Sequence, residues 1–239
     1  MSEGRRGITV SDRTSATGKL FVVATPIGNL SDITVRAIET LKLVDLIAAE
    51  DTRTSSVLLK HYGISRPMVS FHSHSGSGRS GEIVRKILSG ANVALITDAG
   101  TPGISDPGHA LVRDAIESGV EVVPVPGASA FMTALSASGL RTDRFVFEGF
   151  LPSKKGRQTK LRSLSAESRT IIFYESPHRI EKTVNELQTF LGDRKCVVGR
   201  ELTKIHESFY RGTLSQILKL IGESERRGEF VVIVEGAGN

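Results

Sequence analysis

Three groups of residues in this chain have types and spacings suited to chemistry. Glu50, Asp51 and Arg53 stand together in AAEDTRTS, directly after a short apolar run. Two carboxylates beside a guanidinium can take or steer a proton, so Glu50 and Asp51 are candidate catalytic groups and Arg53 a candidate substrate contact. The same trio also reads as an ion-pair cluster or a helix cap. Lys154, Lys155 and Arg157 begin KKGRQTKLR, which gathers five basic residues and no acid. That density suits a phosphate backbone; the alternatives are an exposed basic loop, or a lysine of lowered pKa acting on a hydroxyl. The third group is TDAGTPGISDPG, over 97–108, where glycine lets backbone approach a ligand closely and proline holds the loop in one shape.

Other reactive types carry less. His72 and His74 lie two apart in a serine-rich loop with no obvious third ligand, which favours a substrate-side loop over a metal site, and no metal is expected. Cys196 is the only cysteine, so neither an internal disulfide nor a cysteine-based zinc cage can form, and its apolar neighbours suggest a buried strand position. His178 falls at a helix start without chemistry. There is no GxxxxGK[ST] and no GxGxxG after the first apolar run, which excludes the common nucleotide-binding loops.

The elements that must position these groups follow from periodicity. Apolar runs over 20–24, 46–49, 93–97 and 120–125 alternate with helical spacing, and the first helix shows Ile33, Ala37, Ile38, Leu41 and Val44 on one face behind Ser31 or Asp32 as cap. Helices are expected over 54–61, 80–89 and 129–138, and another is expected to start at Asp106–Pro107 and end at Gly119. This alternation predicts a mainly parallel sheet covered by helices. TPIGN, DAGTPGISDPG and PGAS each follow a strand, and such turns at the carboxyl ends of parallel strands are where open α/β sheets bind ligands. Each alone reads as a structural turn; three together favour a ligand cleft.

The second half changes rhythm. Strands over 145–150, 170–174, 195–200, 207–212 and 229–235 are separated by helices over 158–165, 177–191 and 214–222, and adjacent strands without an intervening helix predict a mixed sheet. The expected organisation is a flexible tail over 1–18, an N-terminal α/β domain over 19–126 and a C-terminal α/β domain over 127–239. The net charge of +5 fits a polyanionic partner, and neither a signal peptide nor a membrane span is visible, so a cytoplasmic protein is expected.

LFVVATPIGNLSDIT, AAEDTRTS, ITDAGTPGISDPG, PVPGASA, FEGFLPSKKGR, FYESPHRI and GRELTKIHE follow one another from Leu20 towards Glu235. In that order they resemble the tetrapyrrole methylase superfamily, and within it the members that methylate the 2′-oxygen of a decoding-centre cytidine in 16S ribosomal RNA. The resemblance implies two α/β domains with S-adenosylmethionine in the cleft between them, and a homodimer. It implies that Pro26, the backbone of Ala99, Gly100, Thr101 and Ile104, and Ser129 and Ala130 line the cofactor, with Tyr174 and Leu202 closing over it. Arg53, Lys154, Lys155, Arg157 and Glu201 would face the RNA of the small ribosomal subunit. A small helical segment is expected beyond EFVVIVEG in such relatives. Methylation of a tetrapyrrole macrocycle is the alternative activity, and a non-catalytic RNA-binding module would leave the three turns unexplained.

Overall fold

The computed structural model describes residues 17–72, 76–106, 108–223 and 227–238. His74 and Pro107 lie outside these residues, as does most of the expected tail. Gly18 does not belong to a tail: its amide donates to Ile87 O at 2.9 Å, and an added Cβ would collide with Ala91 O. The described residues divide into two compact units. Unit 1 takes the chain up to Val23, then Val35–Asp98 and Asp106–Val125; unit 2 takes Ala24–Thr34, Ala99–Ser105 and the chain from Pro126 onward.

Unit 1 contains β1 (Lys19–Val23), α1 (Val35–Leu43), β2 (Leu46–Ala49), α2 (Thr52–His61), β3 (Met68–Ser70), α3 (Gly76–Leu88), β4 (Val93–Ile96), α4 (Gly108–Glu117) and β5 (Glu121–Val125). The sheet order is β3-β2-β4-β1-β5 and every pairing is parallel. All four residues of β2 and of β4 are buried, which is why both read as unbroken apolar runs. Leu20, Leu46 and Leu95 pack against Ile83 and Ile87 of α3 and Leu111 and Ala115 of α4.

Two local expectations are corrected. Ser31 and Asp32 do not cap α1: they sit in a 3-10 turn, Leu30–Asp32, where the Asn29 side chain accepts from Ser31 N at 3.0 Å. Asn29 caps this 3-10 turn because its short amide reaches a backbone donor two residues ahead. The edge strand β3 was not expected, since three residues are too few to show an alternation.

Unit 2 contains α5 (Ala130–Ser136), β6 (Phe145–Phe150), α6 (Arg157–Leu164), β7 (Thr170–Glu175), α7 (Ile180–Leu191), β8 (Lys195–Arg200), β9 (Ser208–Thr213), α8 (Leu214–Glu223) and β10 (Phe230–Val234). Its order is β6-β7-β10-β8-β9, with β6 parallel to β7 and the remaining pairs antiparallel. The chain is therefore α/β, with a parallel sheet in one unit and a mixed sheet in the other. Strand alternation splits the second core: Ile171 and Phe173 pack with α7 and α8, whereas Ile172 packs on the other face with Ala134 and Leu135 of α5. Ile27 joins that second face, which is how a turn from the first part of the chain is held by unit 2.

Candidate functional site

The first and third glycine-containing turns and the Ala99–Ser105 part of the second converge within unit 2. Thr25 N donates to Gly100 O at 2.8 Å and Gly100 N returns to Thr25 O at 3.1 Å, while Thr101 Oγ1 donates to Ala128 O at 3.1 Å. Gly100 has φ +89°, a conformation that disfavours any side chain. A Cβ on Gly127 would stand 2.8 Å from Ala24 Cβ, so small residues let the first and third turns touch. A Cβ on Gly28 would stand 2.5 Å from Lys204 Cγ and 2.9 Å from Thr203 Oγ1, and Ile27 and Leu202 share one apolar cluster with Ala128, Ala130 and Tyr174.

The residues expected around a cofactor are thus parts of one unit. Pro26, Gly100 and Leu202 are buried, Thr101, Ser129, Ala130 and Tyr174 half-buried, and Ala99 and Ile104 exposed. Tyr174 Oη accepts from Phe131 N at 3.2 Å, and its ring lies edge-on to Phe147 with centroids 5.0 Å apart. Burial pushes its phenol above the ordinary range. Ser129 Oγ is shielded from water and interacts with the Tyr174 hydroxyl beside the turns. None of the three turns carries lysine or arginine. A cradle of backbone groups, a hydroxyl and an aromatic ring, with no basic residue in the turns themselves and with the nearby Lys204 paired to Glu201 and Glu229, suits a sulfonium cofactor.

The carboxylates form a separate cluster within unit 1. Glu50 Oε2 accepts from Thr97 Oγ1 at 2.5 Å and from Asp98 N at 3.3 Å. Asp51 caps α2 by accepting from Arg53 N at 2.8 Å, and Arg53 Nη2 reaches its other oxygen at 2.6 Å. These Arg53 hydrogen bonds hold the Asp51 carboxyl down at about 2. Asp98 Oδ1 accepts from Asp51 N at 3.1 Å; burial pushes its carboxyl up, and the Glu50 and Asp51 charges add to that. Asp51 and Arg53 therefore form the cap and ion pair that the sequence allowed as an alternative. Thr97 and Asp98, which sequence spacing did not single out for Glu50, are its partners.

The basic segment divides by burial. Lys154 and Lys155 are exposed and, among the described residues, have no ion-pair partner. Arg157 is corrected from a phosphate contact to an interior residue, 5% exposed. Its Nε donates to Glu186 at 2.7 Å, Nη1 to Pro152 O at 3.1 Å and Nη2 to Thr183 Oγ1 at 2.7 Å, leaving no face for a phosphate. Thr183 in turn donates to Glu175 Oε2 at 2.7 Å, and Arg179 Nε donates to Glu175 Oε1 at 2.8 Å. The side chain of Glu175 is fully buried, and these partners satisfy its carboxylate oxygens. The network ties the loop after β6 to α7 through Arg157 of FLPSKKGR and Glu175 and Arg179 of FYESPHR. Spacing gave no hint of it beyond acids and bases in otherwise apolar surroundings.

Glu201 is likewise corrected. Its carboxylate accepts from Lys204 Nζ at 2.8 Å and Glu229 N at 2.9 Å, so it ties the turn after β8 to the start of β10. Burial raises this carboxyl, but the Lys204 and backbone bonds outweigh it and leave it below the usual range. Among the described residues no cluster of His, Cys, Asp and Glu suits a metal, and no helix is long and apolar enough to cross a membrane.

Residues 19–218 match the family described as Tetrapyrrole (Corrin/Porphyrin) Methylases. A relative from Synechocystis sp. named "Ribosomal RNA small subunit methyltransferase I" is 55% identical over 92% of this chain and 80% of its own length. Among solved structures, diphthine synthase superposes with a TM-score of 0.71 at 15% identity, covering 91% of this chain and 90% of that one. Uroporphyrin-III C-methyl transferase from Thermus thermophilus, complexed with S-adenyl homocysteine, gives 0.65 at 18% identity over 91% and 97%. With its stitched turns, its parallel and mixed sheets and this match across most of its length, the chain belongs to the tetrapyrrole (corrin/porphyrin) methylase family.

Proposed function

We propose that the chain transfers a methyl group from S-adenosylmethionine to the ribose 2′-oxygen of a cytidine in the decoding centre of 16S ribosomal RNA. The observation that carries this is the pairing, within unit 2, of stitched turns that themselves carry no lysine or arginine with two exposed lysines that have no ion-pair partner among the described residues. The cradle suits the sulfonium and the lysines suit a phosphate backbone. The printed name of the Synechocystis relative supports the ribosomal substrate, and S-adenyl homocysteine in the Thermus structure, the demethylated form of the cofactor, supports the methyl donor.

When bound, S-adenosylmethionine would supply an electrophilic methyl carbon to the 2′-oxygen, with the sulfur as leaving group and the hydroxyl proton given up to a base. Alignment is the larger contribution, on the order of 7–11 kcal/mol, against roughly 3–5 kcal/mol from a general base. In this reading Pro26, Ala99, Gly100, Thr101, Ile104, Ser129, Ala130, Tyr174 and Leu202 hold the donor. Lys154 and Lys155 hold phosphate, and Glu50 takes the proton, oriented by Thr97 and Asp98. Asp51 and Arg53 position the start of α2 beside it.

The test is transfer of radiolabelled methyl to small subunits from a strain lacking the modification, run beside a tetrapyrrole acceptor such as uroporphyrinogen. Label in the ribosomal RNA is expected. Label in the macrocycle alone would overturn the substrate and leave the cofactor reading intact.

A further inference from the structure

β6 is irregular between Phe147 and Phe150, where its pairing with β7 shifts register. Gly149 at this bulge has φ +58°, and a Cβ there would stand 2.9 Å from Ser105 Oγ. A bulge re-aims the next side chain. Phe150 is 54% exposed, and its ring lies 5.6 Å from that of Tyr174, centroid to centroid, at an angle of 58°. Beside it opens a cavity of about 560 Å³, bounded by Glu148, Phe150, Pro152, Thr159, Lys160 and Ser163.

An isolated exposed aromatic is ordinary, so the surroundings decide what this one does. The loop bordering the cavity carries Lys154 and Lys155, and it is fixed: Arg157 donates to Pro152 O at 3.1 Å and Arg179 to Leu151 O at 3.4 Å. Lys160 pairs with Glu148 at 2.5 Å on the cavity wall, placing donors and an acceptor beside the aromatic face. A rigid cationic loop next to an open ring is the combination that binds unpaired nucleotides, with phosphates on the cations and a base on the ring.

We infer that Phe150 and the cavity beside it form a stacking subsite for an unpaired nucleobase of the substrate RNA. The inference rests on the proposal that the substrate is RNA. It assigns a role to Phe150 that neither motif nor charge pattern indicated.

The chain contains no tryptophan, so Phe150→Trp introduces a single fluorescent reporter at the subsite. Titration with a short single-stranded oligoribonucleotide should quench its emission, whereas inorganic polyphosphate, which engages lysines but has no base, should not. Phe150→Ala should weaken binding of the oligonucleotide roughly 5- to 150-fold, with Phe150→Tyr restoring it. If the wild-type chain binds RNA by anisotropy but Phe150→Trp emission is unchanged and Phe150→Ala binds normally, the subsite is wrong and the RNA reading survives. If the wild-type chain binds no RNA, the proposed substrate fails first and the subsite with it. Emission that shifts with protein concentration alone would overturn the subsite by assigning Phe150 to a contact between copies of the chain.

Discussion

Lys154, Lys155 and Arg157 share one basic run yet occupy different dielectric surroundings, and their substitution should separate accordingly. Lys154→Ala with Lys155→Ala should weaken RNA binding and reduce the slope of log affinity against log salt by about one per lost phosphate contact. Unfolding should be unchanged, because both side chains are exposed. Arg157→Ala should instead cost about 3 kcal/mol in denaturant unfolding, near the low end for a broken interior pair because Glu186 partly reaches solvent. The salt slope of the folded Arg157→Ala protein should stay that of wild type. A selective loss of RNA affinity would contradict the interior assignment. Glu50→Gln keeps an oxygen for the Thr97 hydroxyl but loses the base, so kcat should fall about 10²- to 10⁴-fold with cofactor affinity retained. A kcat within threefold of wild type would remove Glu50 from the chemistry. Residue type was legible in the sequence at each of these positions; burial was not. Nothing in KKGR distinguishes Arg157 from its neighbours until Glu186, Thr183 and Pro152 surround it.

Elements that bury both faces were the most legible, because β2 and β4 are uninterrupted apolar runs whose length and flanking helices leave little choice. Short or irregular elements were not. β3 is three residues long, and the turn after β8 holds Glu201 at φ +49° and Thr203 at φ +66° with no glycine to announce it. Such positions persist only where surrounding bonds fix them, here the Lys204 and Glu229 contacts of Glu201. The bulge in β6 is the reverse case, since Gly149 is visible in the sequence but reads equally well as a weak point in a strand. Gly149→Ala should cost roughly 1–3 kcal/mol in unfolding, because alanine must adopt φ +58° and its Cβ meets Ser105 Oγ. Equal stability of the variant and wild type would mean that the strand relaxes and the bulge is not fixed.

Over the whole molecule, the order of the chain conceals how it is assembled. Ala24–Thr34 and Ala99–Ser105 interrupt unit 1 yet belong to unit 2, where Ile27 enters the core and Thr25 bonds to Gly100. Strand–turn–helix patterning marked these turns as ligand-facing but could not say which sheet would hold them, since that depends on contacts far apart in sequence. One consequence is that cofactor should act on unit 2. At a hundredfold excess over its Kd, S-adenosylmethionine should stabilise the chain by about 2.7 kcal/mol, with amide exchange slowed most in Ala24–Thr34, Ala99–Ser105 and the start of α5. Protection confined to unit 1 would place the cofactor elsewhere. The most direct test of the whole account uses the chemistry of the product. A ribose 2′-O-methyl blocks alkaline cleavage at its own nucleotide, so small-subunit RNA treated with the chain and cofactor should lose a single band, at a decoding-centre cytidine, from its alkaline ladder. Methyl label incorporated into that RNA while every band of the ladder remains would contradict the account.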